Sequence, residues 1–512
     1  MLKTSGLIEV MGIKSRIISG FAAYTRRRIA HDASRAVQHQ AETFNTLLRK
    51  GATTVFGRQH QFQNITNHAQ WVKQVPIRDY EDLRPYIDRI IAGDSDILWP
   101  GKPIYFAKTS GTTSGVKYIP ITKDSIYNHT GVARNALFNI TSKLRLKNLF
   151  DGKLIFLSGS PVLEKKGDIP TGRLSGIVNH WFPAWLRTNQ LPSYETNCIE
   201  DWETKVDRIA RETYTQDMRI ISGIPPWVQM YYDRLLQISG KKTIKEVFPN
   251  LQLFVYGGVN FEPYRAQLEK LTGGRVPSLE TYPASEGFIA FQDLEDAASG
   301  LLLQCHSGIF FEFVPAAEIH DPQPTRLTLE QVETGKDYAL IMSTNAGLWA
   351  YSIGDTIEFI STDPYRIKVT GRIKHFISAF GEHVIAKEVE EALKITLQKH
   401  PCLVTEFTVA PQVNPMEGGK PYHEWWIEFG DPPTDPVSFA ADLDKAMTEQ
   451  NLYYQDLIEG KILQPLVVRF LPKGSFKQYM QSIGKLGGQN KVPRLSNDRL
   501  IATVLETLLR PS

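Results

Sequence analysis

Residues 105–120 read YFAKTSGTTSGVKYIP. Short apolar runs at 104–107 and 118–121 predict two strands, and the Ser-, Thr- and Gly-rich residues between them predict a polar loop. Glycine lets a backbone approach a ligand closely, and successive N–H groups in such a loop form a concavity that binds anions. With the ammonium group of Lys117 beside it, this loop predicts a polyphosphate site, whereas the alternative is an ordinary polar turn.

The loop differs from the P-loop of nucleotide-binding proteins. That motif requires Gly-Lys-Ser/Thr followed by a helix. Here Val116 separates Gly115 from Lys117, and a strand is predicted to follow. The expected phosphate site is therefore of another class.

The pattern of apolar runs in the rest of the chain predicts an α/β fold. Two helices are expected over 7–50. Over 150–370, helices at 201–213 and 226–239 alternate with apolar runs typical of buried strands: KLIFLSGS, RIISGIPP, LQLFVYGG and YALIMST. This alternation predicts mixed or largely parallel sheets flanked by helices.

A smaller version of the pattern begins near residue 371. AKEVEEALKITLQKH and PVSFAADLDKAMTEQNLYYQDLIEG are expected to be helical, whereas VTEFTVAP, YHEWWIEFG and LVVRFLP are expected to be strands. We therefore predict a large N-terminal domain at 1–370 and a small α+β C-terminal domain at 371–512.

Composition limits the partners that the chain is expected to have. Lys and Arg number 58 against 55 Asp and Glu, so a net charge of +3 gives no general attraction to nucleic acid or anionic membranes. The three cysteines show no metal-binding spacing, which suits a reducing compartment. No apolar stretch reaches the roughly 18 residues that span a bilayer. A cytoplasmic monomer is the expectation.

Two further segments carry acids in suitable positions. In LETYPASEGFIAF, 279–291, Glu286 is placed to hold Mg²⁺ against phosphate oxygens, and Tyr282 to stack on a base. In WAYSIGDTIEF, 349–359, Asp355 follows a glycine turn and is placed to accept both ribose hydroxyls. The alternatives are a surface glutamate with a packed tyrosine and a turn-capping aspartate.

Two basic residues complete the set. Arg372, at the predicted domain boundary, offers planar donors to phosphate or ribose. Lys491 lies in the Gly-rich segment GGQNKVPRL and is placed to reach an α-phosphate. The alternatives are a structural ion pair for the arginine and a solvated lysine.

The order and spacing of TSGTTSGVKYIPIT, YPASE, YSIGD and QNKVPR resemble the acyl-adenylate-forming superfamily. Within it, the chain resembles the acyl acid amido synthetases that conjugate auxin and jasmonate in plants, which are also called the auxin-responsive promoter family. It likewise resembles the bacterial relatives of these enzymes. TVFGRQHQF and VPIRDYEDLRPYIDRI near the N-terminus are also similar to that subgroup. The resemblance extends over nearly the whole chain.

The resemblance implies a role for each motif residue. Glu286 would bind Mg²⁺, Lys491 would assist adenylation, and the 371–512 domain would rotate between half-reactions. Lys117 would complete the phosphate site. ATP would be held by Ser110, Gly111, Thr112, Thr113, Ser114, Gly115, Tyr282, Ser285, Tyr351, Asp355 and Arg372.

The resemblance also implies an ATP-dependent ligase that joins a carboxylic acid to the amine of an amino acid through an acyl-adenylate. An apolar wall for the acid is expected in SGIPPWVQMYY, from Ile224, Trp227, Met230 and Tyr231, although helix packing explains these residues as well. Two alternatives stay open: an acyl–coenzyme A ligase that shares the first half-reaction, and a nucleotide-binding homologue without catalysis.

Overall fold

The structure is a computed structural model. It describes most of the chain, in the ranges 13–112, 115–258, 261–319, 321–373, 376–382, 384–415, 418–483 and 492–509. Within them, no helix has the length and apolar character needed to cross a bilayer.

The helices of the large N-terminal part are α1 (Ile13–Ser34), α2 (Ala36–Gly51), α3 (Val55–Gln59), α4 (His68–Gln74), α5 (Tyr80–Ile91), α6 (Ile126–Lys143), α7 (Leu174–Asn179), α8 (Ala184–Arg187), α9 (Tyr194–Asn197), α10 (Trp202–Thr213), α11 (Pro225–Ser239), α12 (Ile244–Val247) and α13 (Glu262–Thr272). Those of the C-terminal part are α14 (Ala386–Lys399), α15 (Pro436–Gln450), α16 (Leu452–Glu459), α17 (Ser475–Ser482) and α18 (Leu500–Leu509).

The strands before residue 300 are β1 (Tyr105–Thr112), β2 (Gly115–Ile121), β3 (Lys153–Phe156), β4 (Glu164–Lys166), β5 (Ile169–Gly172), β6 (Gln190–Leu191), β7 (Met218–Ser222), β8 (Leu253–Gly257), β9 (Ser278–Ala284) and β10 (Gly287–Phe291). Those after it are β11 (Leu301–Leu303), β12 (Ile309–Pro315), β13 (Asp337–Thr344), β14 (Tyr351–Thr362), β15 (Tyr365–Arg372), β16 (Phe376–Ile377), β17 (Val384–Ile385), β18 (Leu403–Gln412), β19 (Tyr422–Asp431) and β20 (Val467–Leu471).

One large sheet organises the N-terminal part, in the order β12-β13-β14-β15-β11-β10-β9-β8-β7-β3-β6. The strands from β9 to β6 pair in parallel, and those from β9 to β12 pair antiparallel. A second sheet has the order β2-β1-β5-β4, and the C-terminal part contains the sheet β18-β19-β20. The predicted class, mixed sheets flanked by helices with a smaller α+β part, is confirmed.

Helix α5 shows how local sequence sets an element that reaches the site. Asp79 accepts hydrogen bonds from the N–H groups of Glu81 and Asp82, and Asp82 accepts one from the Asp79 N–H, which forms a capping box. Buried positions then recur at helical spacing from Tyr80 through Leu83 to the end of the helix. The cap therefore fixes Tyr80 at the first turn, next to β2.

Apolar packing divides the molecule near the predicted boundary. One cluster of buried residues combines α2 to α5 with β9 to β15, and another joins residues 377–495 of the C-terminal part. The second cluster also includes Trp202 and Val206 of α10, so the C-terminal part packs against the large part. The boundary at residue 371 remains a prediction.

Two local predictions were wrong in extent. The polar loop after Ala107 continues as strand: β1 extends to Thr112, and β2 begins at Gly115. Hydrogen bonding between the two strands provides the partners that a free loop would lack. The helix predicted over 436–460 is interrupted at Asn451, whose extended backbone and side-chain bond to the Tyr454 N–H begin α16.

A buried ionic cluster fastens α4 to the large sheet. Glu312 on β12 is fully buried and accepts hydrogen bonds from the indole of Trp71, from Arg326 at 2.6 Å and 2.9 Å, and lies 2.8 Å from His68 Nε2. Burial alone would raise the pKa of the Glu312 carboxyl, but the Arg326 charge and these hydrogen bonds outweigh it and lower the pKa to about 2. The Glu312 carboxylate is therefore charged at neutral pH.

Candidate active site

The β1–β2 hairpin forms one side of the site. Thr109 pairs with Lys117 across the hairpin, and Thr112 pairs with Gly115 at its tip. This register places Lys117 on the strand that returns from the tip. Among the predicted phosphate-binding residues, Thr113 and Ser114 lie outside the described residues. For Ser110, Gly111, Thr112 and Gly115, only the backbone is described.

Lys117, Tyr351 and Glu286 come together from three separate segments. The Lys117 ammonium lies 3.4 Å from the hydroxyl of Tyr351, which donates a hydrogen bond of 3.2 Å to Glu286 Oε1. Tyr351 is fully buried, and burial together with the nearby Glu286 charge raises its pKa well above the ordinary value. The phenol therefore keeps its proton and links the cation to the carboxylate.

A tight turn between β9 and β10 positions Glu286. Ala284 pairs with Gly287, so Ser285 and Glu286 form the turn between the two strands. A Cβ at Gly287 would lie 2.5 Å from the side chain of Ile309, which shows how closely the turn approaches β12. Ser285, which is a predicted nucleotide contact, therefore lies next to Glu286 in the same turn.

Asp355 is placed by an irregularity in β14. Ile341 pairs with Ser352 and Ala339 with Thr356, so the β14 residues between Ser352 and Thr356 face a single residue of β13. Such bulges bend a strand and redirect a side chain. The redirected Asp355, 6% exposed, accepts a short hydrogen bond from the phenol of Tyr282.

The start of β14 has an unusual backbone. Ala350 adopts φ 46°, in the left-handed region that residues with a Cβ seldom occupy. Its carbonyl accepts a hydrogen bond from the Arg78 N–H, and the Arg78 carbonyl accepts one from the Ser352 N–H. Residues before α5 therefore align beside Tyr351, and this bridge brings Tyr80 towards the site.

Arg372 and Lys491 are two basic residues of the predicted site, and of these two only the Arg372 main chain is described. The Arg372 main chain pairs with Asp355 at the end of β15, next to the bulge. Its side chain, and Lys491 as a whole, lie outside the described residues. Their roles remain predictions.

The residues predicted to line an acyl pocket separate into different surroundings. Tyr231 is fully buried in the core and lies 2.7 Å from the hydroxyl of Thr213. Trp227 packs on Trp202, with ring centroids 4.4 Å apart, and both Trp227 and Met230 contact the C-terminal apolar cluster. Ile224 lies at the start of α11, within 3.6 Å of a Cβ built at Gly381. Their predicted contact with an acid remains untested.

Sequence reasoning missed three residues that complete this region. Tyr80 accepts a hydrogen bond from the Tyr118 N–H, and its ring lies 6.0 Å from the Lys117 ammonium. Burial raises the pKa of Tyr80 to about 12. The capping box at Asp79 could have located Tyr80 on a helix start, although not beside Lys117.

The other two missed residues join the hairpin to the C-terminal part. Tyr453 on α16 donates a 3.0 Å hydrogen bond to the Lys108 carbonyl on β1. The guanidinium of Arg173 lies 4.8 Å from the centre of the Tyr453 ring and forms an ion pair with Asp456 on the same helix. Burial lowers the pKa of Arg173. No local sequence signal identifies this contact.

Lys205 is a buried lysine close to Arg173. Its ammonium donates hydrogen bonds to the carbonyls of Ser158 at 3.0 Å and Asn197 at 2.6 Å. Burial lowers its pKa to about 8, with a further small decrease from the Arg173 charge and an opposing effect of Cys198. Lys205 thus holds the segment after β3, which leads towards β5 and Arg173.

The chain matches three domain models of one family in sequence order. The GH3 family N-terminal domain matches residues 25–181 and 174–277, the GH3 family central domain matches 302–372, and the GH3 family C-terminal domain matches 387–500. Together these matches cover most of the chain. The chain belongs to the GH3 family of acyl acid amido synthetases. The family predicted from the motifs is confirmed.

Curated GH3 relatives are similar over almost their full length. Indole-3-acetic acid-amido synthetase GH3.3 of Arabidopsis thaliana is 22% identical, with 91% of each chain covered. Jasmonoyl--L-amino acid synthetase GH3.5 of Oryza sativa subsp. japonica is 24% identical, with 92% of this chain and 93% of the relative covered. The predicted class, a ligase that forms an amide with an amino acid, is the class that these names give.

A solved GH3 structure has the same fold. The AtGH3.15 acyl acid amido synthetase in complex with 2,4-DB superposes with a TM-score of 0.61 at 17% identity, and 96% of each chain is covered. At this identity the likeness concerns the fold.

Proposed function

We propose that this GH3 chain is an ATP- and Mg²⁺-dependent acyl acid amido synthetase. It adenylates a carboxylic acid with release of pyrophosphate and then transfers the acyl group to the amine of an amino acid with release of AMP. The proposal rests on one observation: Lys117, Tyr351 and Glu286 contact one another, and the Tyr282–Asp355 pair joins the same region of strands β9 and β14.

The groups around Glu286 suit a metal–polyphosphate complex. Mg²⁺ in such sites takes one or two carboxylates and completes its shell with phosphate oxygens and water. Glu286 supplies a carboxylate held by Tyr351, and the Lys117 ammonium lies on the other side of the same phenol. Mg²⁺ held by Glu286 would supply positive charge to the phosphate oxygens.

The chain's own residues have separable tasks in this reaction. Lys117 binds phosphate oxygens and helps two anions, the acid and the nucleotide, to approach. Asp355, oriented by Tyr282, accepts hydrogen bonds from the ribose hydroxyls. It thereby fixes the position of the nucleotide relative to the hairpin. Arg372 and Lys491 would add positive charge near the ribose and the α-phosphate.

Residues 371–512 are proposed to move relative to the large part between the two half-reactions. Supporting this, part of the observed contact consists of ion pairs. Arg173 pairs with Asp456, and Glu203 on α10 pairs with Lys420 at 2.6 Å and with Lys461 at 3.0 Å. The two Glu203 pairs are exposed, and exposed ion pairs contribute little net stability, roughly 0–1 kcal/mol each, so they break at low cost.

The test is ATP–pyrophosphate exchange with purified protein and Mg²⁺ across a panel of carboxylic acids, without an amine. We expect exchange that depends on the acid and is lost in Glu286→Ala. Addition of amino acids or of coenzyme A then separates an amide product from a thioester. Absence of exchange with every acid, in protein that binds ATP, would favour the non-catalytic alternative.

A further inference from the structure

Three side chains that can bind a metal lie close together outside the proposed active site. Asp32 is in the last turn of α1, His39 is in the first turns of α2, and His306 lies between β11 and β12. Their ligand atoms all lie within 4.8 Å of one another. His39 Nε2 and His306 Nδ1 are each 3.7 Å from an oxygen of the Asp32 carboxylate.

A buried glutamine fixes the position of these residues. Gln40, next to His39, donates hydrogen bonds of 2.9 Å to the carbonyls of Cys305 and Ile309 and accepts one of 2.8 Å from the Phe311 N–H. These bonds hold α2 against the turn that carries His306. The backbone positions from which the two histidines extend are therefore fixed relative to each other.

The two ring nitrogens of His39 have different surroundings. His39 Nδ1 lies 3.3 Å from Glu42 Oε2, and because a carboxylate only accepts, this ring nitrogen carries the hydrogen. The other ring nitrogen, Nε2, faces the Asp32 carboxylate. This nitrogen is buried without a hydrogen-bond partner in the described part of the chain, and its 3.7 Å distance to Asp32 exceeds the usual range of about 2.7–3.2 Å.

A cation between these groups would have His39 Nε2, His306 Nδ1 and the Asp32 carboxylate as ligands. Zn²⁺ bound to nitrogen and oxygen at about 2.0–2.1 Å separates its tetrahedral ligands by about 3.4 Å. The two observed nitrogen–oxygen distances of 3.7 Å are close to this separation, and the stacked imidazole rings must tilt apart for both nitrogens to bind one ion.

We propose that Asp32, His39 and His306 bind a divalent transition metal of the Zn²⁺ class. Two imidazoles and one carboxylate suit Zn²⁺ and its neighbours rather than Mg²⁺. Glu42 is the partner that orients His39 and increases its basicity. His306 is exposed to solvent, so metal has a route of entry. The metal ties the α1–α2 junction to the large sheet, separately from adenylation.

The test uses full-length protein without an affinity tag, stripped of metal by a chelator and kept free of ATP. Calorimetric titration with Zn²⁺ should show a saturable site, Co²⁺ should give the visible absorption of a nitrogen–oxygen site, and Zn²⁺ should raise Tm. Glu42→Gln should weaken binding by about 10–100-fold. His306→Ala and Asp32→Asn should weaken it at least as much.

His31→Ala is the matched control, because His31 precedes Asp32 on α1 and lies outside the cluster. It should bind Zn²⁺ like the unmodified chain. Absence of saturable binding, or equal affinity in His306→Ala and the unmodified chain, would overturn the proposal whatever the outcome of the adenylation assay. His306 is solvent-exposed, so its replacement is expected to leave the fold intact.

Discussion

The phenol of Tyr282 donates a short hydrogen bond to the carboxylate of Asp355, 73 residues further along the chain. Tyr282 lies on β9 and Asp355 in the bulged part of β14, so the bond joins two strands that are separated in the sheet by β15, β11 and β10. Two residues with separate predicted roles, stacking on the base and binding the ribose, are therefore coupled.

Tyr282→Phe should weaken ATP binding. It removes the donor that orients Asp355 and leaves a buried carboxylate oxygen with one bond fewer, which costs about 1–3 kcal/mol. We expect KM for ATP in pyrophosphate exchange to rise about tenfold, with kcat less affected. Tyr256→Phe on neighbouring β8 is the control and should leave KM unchanged. An unaltered KM in Tyr282→Phe would separate this phenol from nucleotide binding.

Tyr351→Phe should impair use of Mg²⁺. The hydroxyl links Lys117 to Glu286, and loss of a residue that orients a metal ligand typically lowers affinity or activity by about 10–100-fold. Pyrophosphate exchange measured against Mg²⁺ concentration should shift to higher Mg²⁺ in this variant. Tyr338→Phe, buried on β13, is the control. Identical Mg²⁺ dependence in Tyr351→Phe and the unmodified chain would contradict the assignment of Glu286.

Asp456→Asn should loosen the contact between α16 and the β1–β2 hairpin. It removes the charge that pairs with Arg173, while the Tyr453 bond to the Lys108 carbonyl remains. Hydrogen–deuterium exchange should accelerate in α16 and in β1. Glu459→Gln, which changes an exposed residue on the same helix, is the control. Exchange that is equally slow in both variants would show that the ion pair does not hold α16 in place.

Glu312→Gln should destabilise the large part of the molecule. The substitution leaves the buried Arg326 guanidinium without its counter-charge, and breaking a buried ion pair costs roughly 3–5 kcal/mol. The midpoint of urea denaturation should fall. Glu330→Gln, at an exposed glutamate near the same sheet edge, should leave the midpoint close to that of the unmodified chain. A midpoint equal to that of Glu330→Gln would show that the ionic cluster does not stabilise the folded chain.

The same carboxyl predicts a dependence of stability on pH. The pKa of Glu312 is about 2 in the folded chain, below its ordinary 4.5, so the folded state binds the proton less readily than the unfolded state. Its stabilising contribution is complete above pH 4.5 and is lost as the pH falls towards 2. Denaturation midpoints measured through this window should decrease more steeply in the unmodified chain than in Glu312→Gln. Parallel slopes would contradict the prediction.

Local patterns were sufficient for the fold class and for several strands and helices of both parts. Helices α10 and α11 and strands β3, β7, β8 and β13 lie where apolar periodicity predicts them, because that periodicity reports which face of an element is buried. The extent of β1 was underestimated because a cluster of Ser, Thr and Gly between two apolar runs indicates a loop, and pairing with β2 outweighs that local signal.

The sequence by itself determined the family, the order of the motifs and the chemical character of Lys117, Glu286 and Asp355, since each depends on residue type and local spacing. The tertiary structure alone decided that Tyr351 joins Lys117 to Glu286, that Tyr282 binds Asp355, and that Tyr453 reaches Lys108 across 345 residues. Contacts so distant along the chain arise from strand register and from the packing of one part on another, and local periodicity carries no information about either.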